Sequence, residues 1–210
     1  MIVIEQILIG SFDIFTYILG DPDTGEGIVV DPGGSESLIL ERARAKGINK
    51  IVMIVNTHCH VDHTAGNDEM HRVTGAPIAI HEADAYALTN PNMGMLAMFG
   101  VEKSPPASVL LKDGDKISFG NEAVEVIHTP GHSLGGICLY FPGYVVTGDT
   151  LFVGGVGRTD LPGGSHEVLQ TSIRNRLFTL PDDTVVLPGH HYGPTNTSTI
   201  GREKKENMFV

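Results

Sequence analysis

A run of metal-binding residue types follows directly after a short apolar segment of the chain. Residues 51–55 read IVMIV, a continuous and mostly β-branched run that predicts a buried strand. The chain continues as THCHVDHTAGN, which places His58, His60, Asp62 and His63 in one short loop. A strand that ends in such a loop favours a fold in which a rigid sheet aims these side chains at one place.

The spacing within this loop favours two neighbouring metal positions. Alternate side chains of an extended segment share a side, so His58 and His60 point together while Cys59 points away. If the chain then turns into a helix, Asp62 and His63 can face a second, adjacent position. Imidazole pairs suit zinc or iron, and the carboxylate favours a hard or borderline ion.

Three further loops carry a histidine or an aspartate after a strand-like run. His132 lies in TPGHS, Asp149 in TGDT and His190 in LPGH. Together with the first motif, four loops at the ends of strands are therefore expected to aim His or Asp side chains at one site. Four other histidines are interpreted as solvated or hydrogen-bonded side chains: His71, His81, His128 and His166.

Strand-like and helix-like patterns predict two sheets with helices outside. Strands are predicted at 2–8, 14–19, 27–30, 51–55, 76–80, 116–119, 123–127, 137–141, 144–146 and 184–187, and helices after residue 35 and at 64–73, 165–178 and 200–207. The alternation in the first half favours parallel strands on a sheet covered by helices. Because we find no internal repeat and no linker, we expect residues 1–210 to form one α+β domain.

The composition is that of a globular domain, and it argues against several partners. The chain is 41% hydrophobic, and 14 Lys and Arg against 25 Asp and Glu give a net charge of -11, which argues against nucleic acid. No apolar run is long enough for a membrane span, and the first residues lack a basic leader and a cleavage site, so a cytoplasmic protein is expected. Cys59 and Cys138 suit a reducing compartment and are interpreted as small buried hydrophobic residues.

Residues 90–107, NPNMGMLAMFGVEKSPPA, fit neither the helix period nor the strand period. On a plain surface loop, the methionines and Phe99 would form an exposed apolar patch. Because long irregular segments of compact domains are usually functional, we interpret this segment as a cover over the active site. Met98 and Phe99 are the residues of the cover that we expect to contact substrate.

The motifs THCHVDHTAGN, TPGHSLGG, TGDTLFVGGVGRTDLPGG and LPGH resemble the metallo-β-lactamase superfamily, and within it the short bacterial subgroup of glyoxalase II-like hydrolases. The resemblance covers nearly the whole chain and implies a four-layer αββα sandwich with a two-metal site at one edge of the sheets. It assigns His58, His60 and His132 to one metal, Asp62, His63 and His190 to the other, and Asp149 to both. His190 is preferred to His191 because it occupies the Pro-Gly-His frame of the family.

The activity that this resemblance implies is metal-dependent hydrolysis, with thioesters such as hydroxyacylglutathione as the substrates. Two divalent ions, zinc before iron or manganese, would activate a water to hydroxide, with Asp62 holding the attacking solvent and Asp149 between the ions. The Asp149 bridge argues against zinc β-lactamases, and the acidic chain argues against nucleases of the superfamily. Arg158 could bind a substrate carboxylate or backbone, or form an ion pair with Asp160.

Two alternatives remain beside the thioesterase, and no oligomeric state is predicted. A persulfide dioxygenase of the same superfamily would use one Fe(II) on His58, His132 and Asp149, although the tail from Ser198 to Glu203 favours the hydrolase. A partner-binding module that holds metal without chemistry is the alternative of another class. The chain extends twenty residues beyond His190, so no helical C-terminal domain for glutathione is expected, and glutathione would be recognised differently or weakly.

Overall fold

Two six-stranded β-sheets form the centre of the computed structural model, which describes residues 1–10 and 13–210. The strands of the first sheet, in spatial order, are β1 (Val3–Ile9), β2 (Ile14–Asp21), β3 (Glu26–Val30), β4 (Lys50–Val55), β5 (Ile78–His81) and β6 (Val109–Leu111). The first three strands pair antiparallel, and β3 to β6 pair parallel. The parallel pairing expected in the first half is therefore confirmed for these four strands.

The second sheet comes from the second half of the chain. Its strands are β7 (Lys116–Phe119), β8 (Glu122–His128), β9 (Ile137–Phe141), β10 (Tyr144–Gly148), β13 (Val185–Pro188) and β14 (Ser198–Thr199), and a small hairpin is formed by β11 (Leu151–Phe152) and β12 (Gly155–Val156). Strand β10 pairs parallel with β13 and antiparallel with β9, which pairs antiparallel with β8. Strands β8, β10 and β13 therefore run in the same direction and end at the same edge.

Short helices lie outside the sheets or in the loops at their edges. They are α1 (Glu36–Ala45), α2 (Val61–Thr64), α3 (Asn67–Thr74), α4 (Ala85–Thr89), α5 (Met93–Phe99), α6 (His166–Ser172) and α7 (Ile200–Glu206), and a π-helical turn at Ile173–Leu177 continues α6. In the described residues, none of these helices has the length and apolar character needed to cross a membrane.

Three apolar clusters fill the spaces between the four layers of the molecule. Alternate residues of β2 face opposite sides, so Tyr17 and Leu19 pack between the two sheets while Ile18 packs toward α1 and α3. Leu169 of α6 and Ile200 of α7 pack on the outer face of the second sheet. The order helix, sheet, sheet, helix confirms the predicted α+β fold of the αββα type.

The helix predicted at 64–73 is two helices, α2 and α3, with a break at Gly66. The Gly66 N–H donates to the carbonyl of Pro32 at 2.7 Å, and a Cβ at this position would lie 2.7 Å from the same oxygen. The loop after β3 therefore approaches so closely that only glycine fits at this position. Helix α2 already begins at Val61, so Asp62 and His63 lie on a helix rather than before one.

Residues 90–107 are not irregular throughout, because helix α5 forms within them. The Asn92 side chain caps its start by accepting from the N–H of Gly94 at 2.8 Å, and Gly100 ends it with φ 65°. The helix reads MGMLAMF, which has no polar face and therefore no amphipathic period to reveal it. The short strand β6 was missed for a similar reason, since three apolar residues carry no period.

The predicted C-terminal helix α7 carries a buried carboxylate that ties the chain end to the β11–β12 hairpin. Glu203 is 2% exposed and accepts from the Gly154 N–H at 2.9 Å, the Ser198 hydroxyl at 2.5 Å and the Asn207 amide at 2.9 Å. The same Asn207 amide donates to the carbonyl of Gly155 at 3.0 Å. Because the hairpin directly follows Asp149, this network holds the chain on one side of the predicted metal site.

Replacing Glu203 by alanine should destabilise the fold by about 2–4 kcal/mol, because three donors lose their acceptor and two of them belong to buried residues, Ser198 and Asn207. Glu206 lies on the same helix and pairs with the exposed Arg202, so Glu206→Ala should change stability by less than about 0.5 kcal/mol. Urea unfolding of both variants measures the difference. Equal midpoints for the two variants would contradict the anchoring role of Glu203.

Candidate metal centre

Three of the sequence-predicted histidines meet at the edge between the two sheets. His58 and His60 follow β4, and His132 follows β8. The Nε2 atom of His132 lies 2.8 Å from Nδ1 of His60 and 3.2 Å from Nε2 of His58. Their nitrogens therefore form a group that is small enough to hold one metal ion.

A second group lies beside the first. His63, on α2, has its Nε2 atom 3.1 Å from Nε2 of His190, which follows β13. Asp62 completes the group, with its Oδ2 atom 3.3 Å from Nε2 of His190. These three residues form another group within the distances that a metal ion requires.

Asp149 lies between the two groups, directly after β10. Its Oδ2 atom is 3.5 Å from Nε2 of His132 in the first group and 3.5 Å from Nε2 of His190 in the second. Its Oδ1 atom lies 3.2 Å from Nε2 of His63, yet it is buried and, within the described part of the chain, makes no hydrogen bond. The structure thus brings all seven sequence-predicted ligands together, although metal binding by them stays a prediction.

Hydrogen bonds to groups outside the cluster determine which ring nitrogen carries the proton in the neutral forms of two of these histidines. The Nδ1 atom of His63 lies 2.9 Å from Oδ2 of Asp31, and the Nδ1 atom of His132 lies 2.7 Å from the carbonyl oxygen of Arg158. Both partners only accept, so each Nδ1 carries the proton and donates. In the neutral ring, Nε2 of each histidine then presents a lone pair to the centre of the cluster.

The same conclusion holds for His58 through a longer chain of bonds. The Thr57 hydroxyl donates its one hydrogen to Oδ2 of Asp31 at 2.6 Å, so it can only accept from the neighbouring ring. The Nδ1 atom of His58, 3.1 Å away, therefore donates to Thr57, and its Nε2 faces the cluster as a lone pair. Asp31 thus sets the tautomers of two rings, one in each group.

Lone pairs that face one another at these distances repel unless a cation lies between them. Burial, and after it the charges of neighbouring histidines, hold the pKa of His58 well below 6.5. Burial and His132 likewise lower the pKa of His60 to about 4. Neither ring is therefore protonated at neutral pH. Together with the buried carboxylate of Asp149, this donor set fits divalent metal ions.

The second group is dominated by carboxylates. Burial lowers the pKa of His63, but the carboxylates of Asp149, Asp62 and Asp31 outweigh it and hold that pKa well above 6.5. Burial raises the pKa of Asp149, but His63, His132 and His190 outweigh it, so this carboxyl stays ionised. The pKa of Asp62 is lowered in the same way, by His63 and His190 against burial. The anions of the cluster thus favour a cation at its centre.

Sequence reasoning missed Asp31, which follows β3 in the segment DPGG. Its Oδ1 atom accepts from the backbone N–H of Thr57 at 2.7 Å, in addition to the bonds of Oδ2. The residue adopts a left-handed conformation with φ 51°, which aspartate and asparagine adopt more readily than most other side chains. The available signal was an aspartate directly after a buried strand, the same pattern that identified Asp149.

Asp84 was also missed, and it joins the loops that carry the first group of histidines. Its carboxylate accepts from the Cys59 N–H at 3.1 Å, the Ser133 hydroxyl at 2.7 Å and the Gly135 N–H at 2.6 Å. Asp84 is 2% exposed and lies on a short 3-10 turn after β5. Nothing in its local sequence, HEADAY, distinguishes it from a surface carboxylate.

Tyr192 is a third residue that the sequence analysis did not single out. Its ring stacks on that of His190 with centroids 4.5 Å apart and packs edge-on against Phe152. Burial and the carboxylates of Asp149 and Asp62 raise the pKa of Tyr192 to about 12. The phenol therefore stays protonated at neutral pH and offers a hydroxyl beside the cluster. His191 turns elsewhere and packs against Phe15.

The residues predicted to contact substrate have different surroundings. Arg158 pairs with Asp160 through two bonds of 2.7 Å, which is the ion pair that the sequence left open. Met98 lines a cleft that also includes Asp62. The side chain of Phe99 lies outside the described part of the structure. Substrate contact by all three stays a prediction.

Neither cysteine joins the cluster. Cys59 packs partly into the core behind the first sheet, and burial followed by the charge of Asp84 raises the pKa of its thiol. Cys138 is fully buried, and burial raises its pKa to about 11. Both thiols therefore stay protonated at neutral pH, which supports the interpretation of both as small hydrophobic residues.

The fold and the cluster of His and Asp side chains together indicate a class of protein: an αββα protein whose cluster at the edge of its two sheets fits divalent metal ions. Residues 10–190 match the model of the metallo-beta-lactamase superfamily, and the chain belongs to that superfamily. Membership supports an enzyme, and more particularly a metallo-hydrolase.

Two relatives and two solved structures illustrate this membership. YqgX of Bacillus subtilis (strain 168), described as a probable metallo-hydrolase, is 34% identical over 98% of this chain and 96% of its own length. A hydroxyacylglutathione hydrolase of Polaromonas sp. is 34% identical over 96% of this chain and 72% of its own length. The crystal structure of BLEG-1, described as a B3 metallo-beta-lactamase, superposes with a TM-score of 0.87 at 32% identity over 99% of both chains. TTHA1623 in a di-iron-bound form gives 0.85 at 30% identity over 98% of this chain and 100% of its own.

Asp31→Asn should weaken metal binding about 10–100-fold, because an amide has one accepting oxygen and cannot accept from all three groups that the two carboxylate oxygens orient. Asp23→Asn is the control, since Asp23 lies in the exposed turn between β2 and β3, away from the cluster. Competition with a coloured chelator measures the affinity of each variant. Equal affinities for the two variants would show that Asp31 does not orient the ligands.

Proposed function

We propose that the protein is a thioester hydrolase that works with two divalent metal ions. The observation that carries this proposal is the shared carboxylate: Asp149 lies within 3.5 Å of nitrogens in both donor groups. A single ion would leave one of these groups without a cation. The di-iron form of the related TTHA1623 supports the same number of ions.

The two groups of donors would divide the ions as the sequence analysis expects. His58, His60 and His132 would hold one, Asp62, His63 and His190 the other, and Asp149 both. Such ions supply Lewis acidity, which lowers the pKa of a water and polarises a carbonyl oxygen. Imidazole and carboxylate ligands accept zinc and iron alike, with zinc our first choice.

The side chains of the cluster would position the reactants. The side chain of Asp62 is 19% exposed, whereas that of His63 is completely buried. Asp62 can therefore accept a hydrogen bond from the attacking water and orient it, while His63 is out of reach of solvent. The Tyr192 hydroxyl can donate to a substrate beside His190.

Thioesters suit this site because the reaction needs little acid catalysis. Water adds to the acyl carbon, the C–S bond breaks, and the products are a carboxylate and a thiol. A thiolate is a good leaving group without prior protonation, and none of the described groups is an evident proton donor for a poorer one except Tyr192. The similarity to the hydroxyacylglutathione hydrolase of Polaromonas sp. supports the same substrate class.

Protein purified without added metal should contain about two metal ions per chain and hydrolyse S-lactoylglutathione. His58→Ala and Asp149→Ala should each lose metal and more than about 100-fold of the activity, because even groups outside the ligand set change metal sites by 10–100-fold. His166→Ala is the control, since this histidine is exposed at the start of α6. Elemental analysis and thiol release on the same samples measure both effects.

Three outcomes would contradict the proposal. One iron per chain with oxygen consumption on glutathione persulfide would indicate the dioxygenase. Turnover of a β-lactam but of no thioester would indicate the activity named in the description of BLEG-1. A fully metal-loaded protein that turns over none of the three substrates would favour the partner-binding module.

A further inference from the structure

A cleft of about 390 Å³ opens next to Asp62. Its lining includes the apolar side chains of Ile9, Ile14, Met98 and Val101. Helix α5, which carries Met98, packs against α2, which carries Asp62. The cleft is therefore continuous with the candidate metal centre, and its volume falls in the range of about 300–1,000 Å³ that is usual for small-molecule sites.

Three glycines, Gly10, Gly33 and Gly34, also belong to the lining of the cleft. A Cβ on Gly33 would lie 2.7 Å from the carbonyl oxygen of Asp62 and 2.8 Å from a methyl group of Ile14. Glycine at this position thus allows the loop after β3 to lie against both residues. A cleft lined by glycine backbone and apolar side chains suits a hydrocarbon chain.

The charge of the cleft is entirely acidic among the described lining residues. Glu36 and Asp62 are its charged side chains, and no Lys or Arg is among them. Arg158 is paired with Asp160 and is not part of the lining. Because Asp62 would be a metal ligand in the proposed function, Glu36 is the acidic side chain that a substrate carboxylate would meet in this cleft, with no basic partner among the described lining residues.

We propose that this cleft binds the acyl chain of uncharged apolar thioesters, so that the enzyme prefers them to thioesters of glutathione. The inference rests on the proposed function, because it places the acyl carbon next to Asp62. Glutathione carries two carboxylates and one ammonium group, so its thioesters bring a net negative charge to an acidic entrance. The substrate class is then a medium-length acyl group on a neutral thiol.

The test compares acetyl, butanoyl, hexanoyl and octanoyl thioesters of N-acetylcysteamine, a neutral thiol, with the same acyl groups on glutathione. Thiol release gives kcat/KM for each. We expect kcat/KM to rise about two- to fourfold for each methylene that the cleft buries, the upper value corresponding to about 0.8 kcal/mol. At equal acyl length, the neutral thioester should react faster than the glutathione thioester.

Matched variants test the apolar side chains and the acidic side chain of the lining separately. Met98→Ala should flatten the dependence on chain length, whereas Met93→Ala, at an exposed position of the same helix outside the lining, should keep the wild-type slope. Glu36→Gln should reduce the preference against glutathione, whereas Glu41→Gln, on an exposed face of the same helix α1, should not.

Ligand binding can be measured without turnover. Protein labelled with ¹³C in the methionine methyl groups is titrated with the S-hexyl thioether of N-acetylcysteamine, which water cannot hydrolyse. The Met98 methyl resonance, assigned by its loss in Met98→Leu, should shift, and that of Met208, which is 91% exposed near the chain end, should not.

The outcomes separate this inference from the proposed function. Turnover of thioesters with no dependence on chain length and no shift at Met98 would overturn the cleft while keeping the hydrolase. A shift at Met98 without turnover of any thioester would overturn the hydrolase and leave the cleft as a binding site for apolar chains. Faster reaction of the glutathione thioester at equal acyl length would overturn the charge argument, and neither turnover nor a shift would overturn both proposals.

Discussion

Mutual repulsion among the imidazole lone pairs is the constraint on which the rest of this structure depends. The Nε2 lone pairs of His58 and His132 face each other 3.2 Å apart, and burial keeps His58 from relieving the repulsion by taking up a proton. A cation between the two nitrogens makes such an arrangement favourable. Two sheets joined by a continuous apolar core supply the rigidity that positions the rings.

Two carboxylates outside the predicted ligand set hold the loops and rings of the site in place by hydrogen bonds. Asp31 joins the loop after β3 to rings in both donor groups, and Asp84 joins the loops that carry His58 and His132. Asp31 bonds His63 directly and His58 through Thr57, and each ring uses the nitrogen that faces away from the centre, so its other nitrogen is left to bind metal. The site is thus built in layers, and the cleft beside Asp62 takes its shape from the same loop after β3.

The candidate metal ligands could be predicted from the sequence because short motifs at the ends of strands give both the type of residue and its position. His58, His60, Asp62 and His63 lie in one loop, and the structure brings their distant partners to the same edge. The helix predicted at 64–73 was wrong in its continuity, since the contact that breaks it is made with Pro32, far away in the chain. Helix α5 was missed because an apolar helix without a polar face leaves no period to detect.

The sequence by itself determined the alternating elements, two sheets with helices outside and the set of side chains available for a metal, because these depend on local pattern and residue chemistry, whereas the four-layer αββα order was implied by the family resemblance. Tertiary structure decided which nitrogen of His58, His63 and His132 faces the cluster, since Asp31 and the Arg158 carbonyl act across long sequence separations. It also decided that an acidic, apolar cleft lies next to Asp62, and it selected Asp160 as the partner of Arg158. Apart from that last pair, these contacts join residues that no local pattern connects, so only the folded chain defines them.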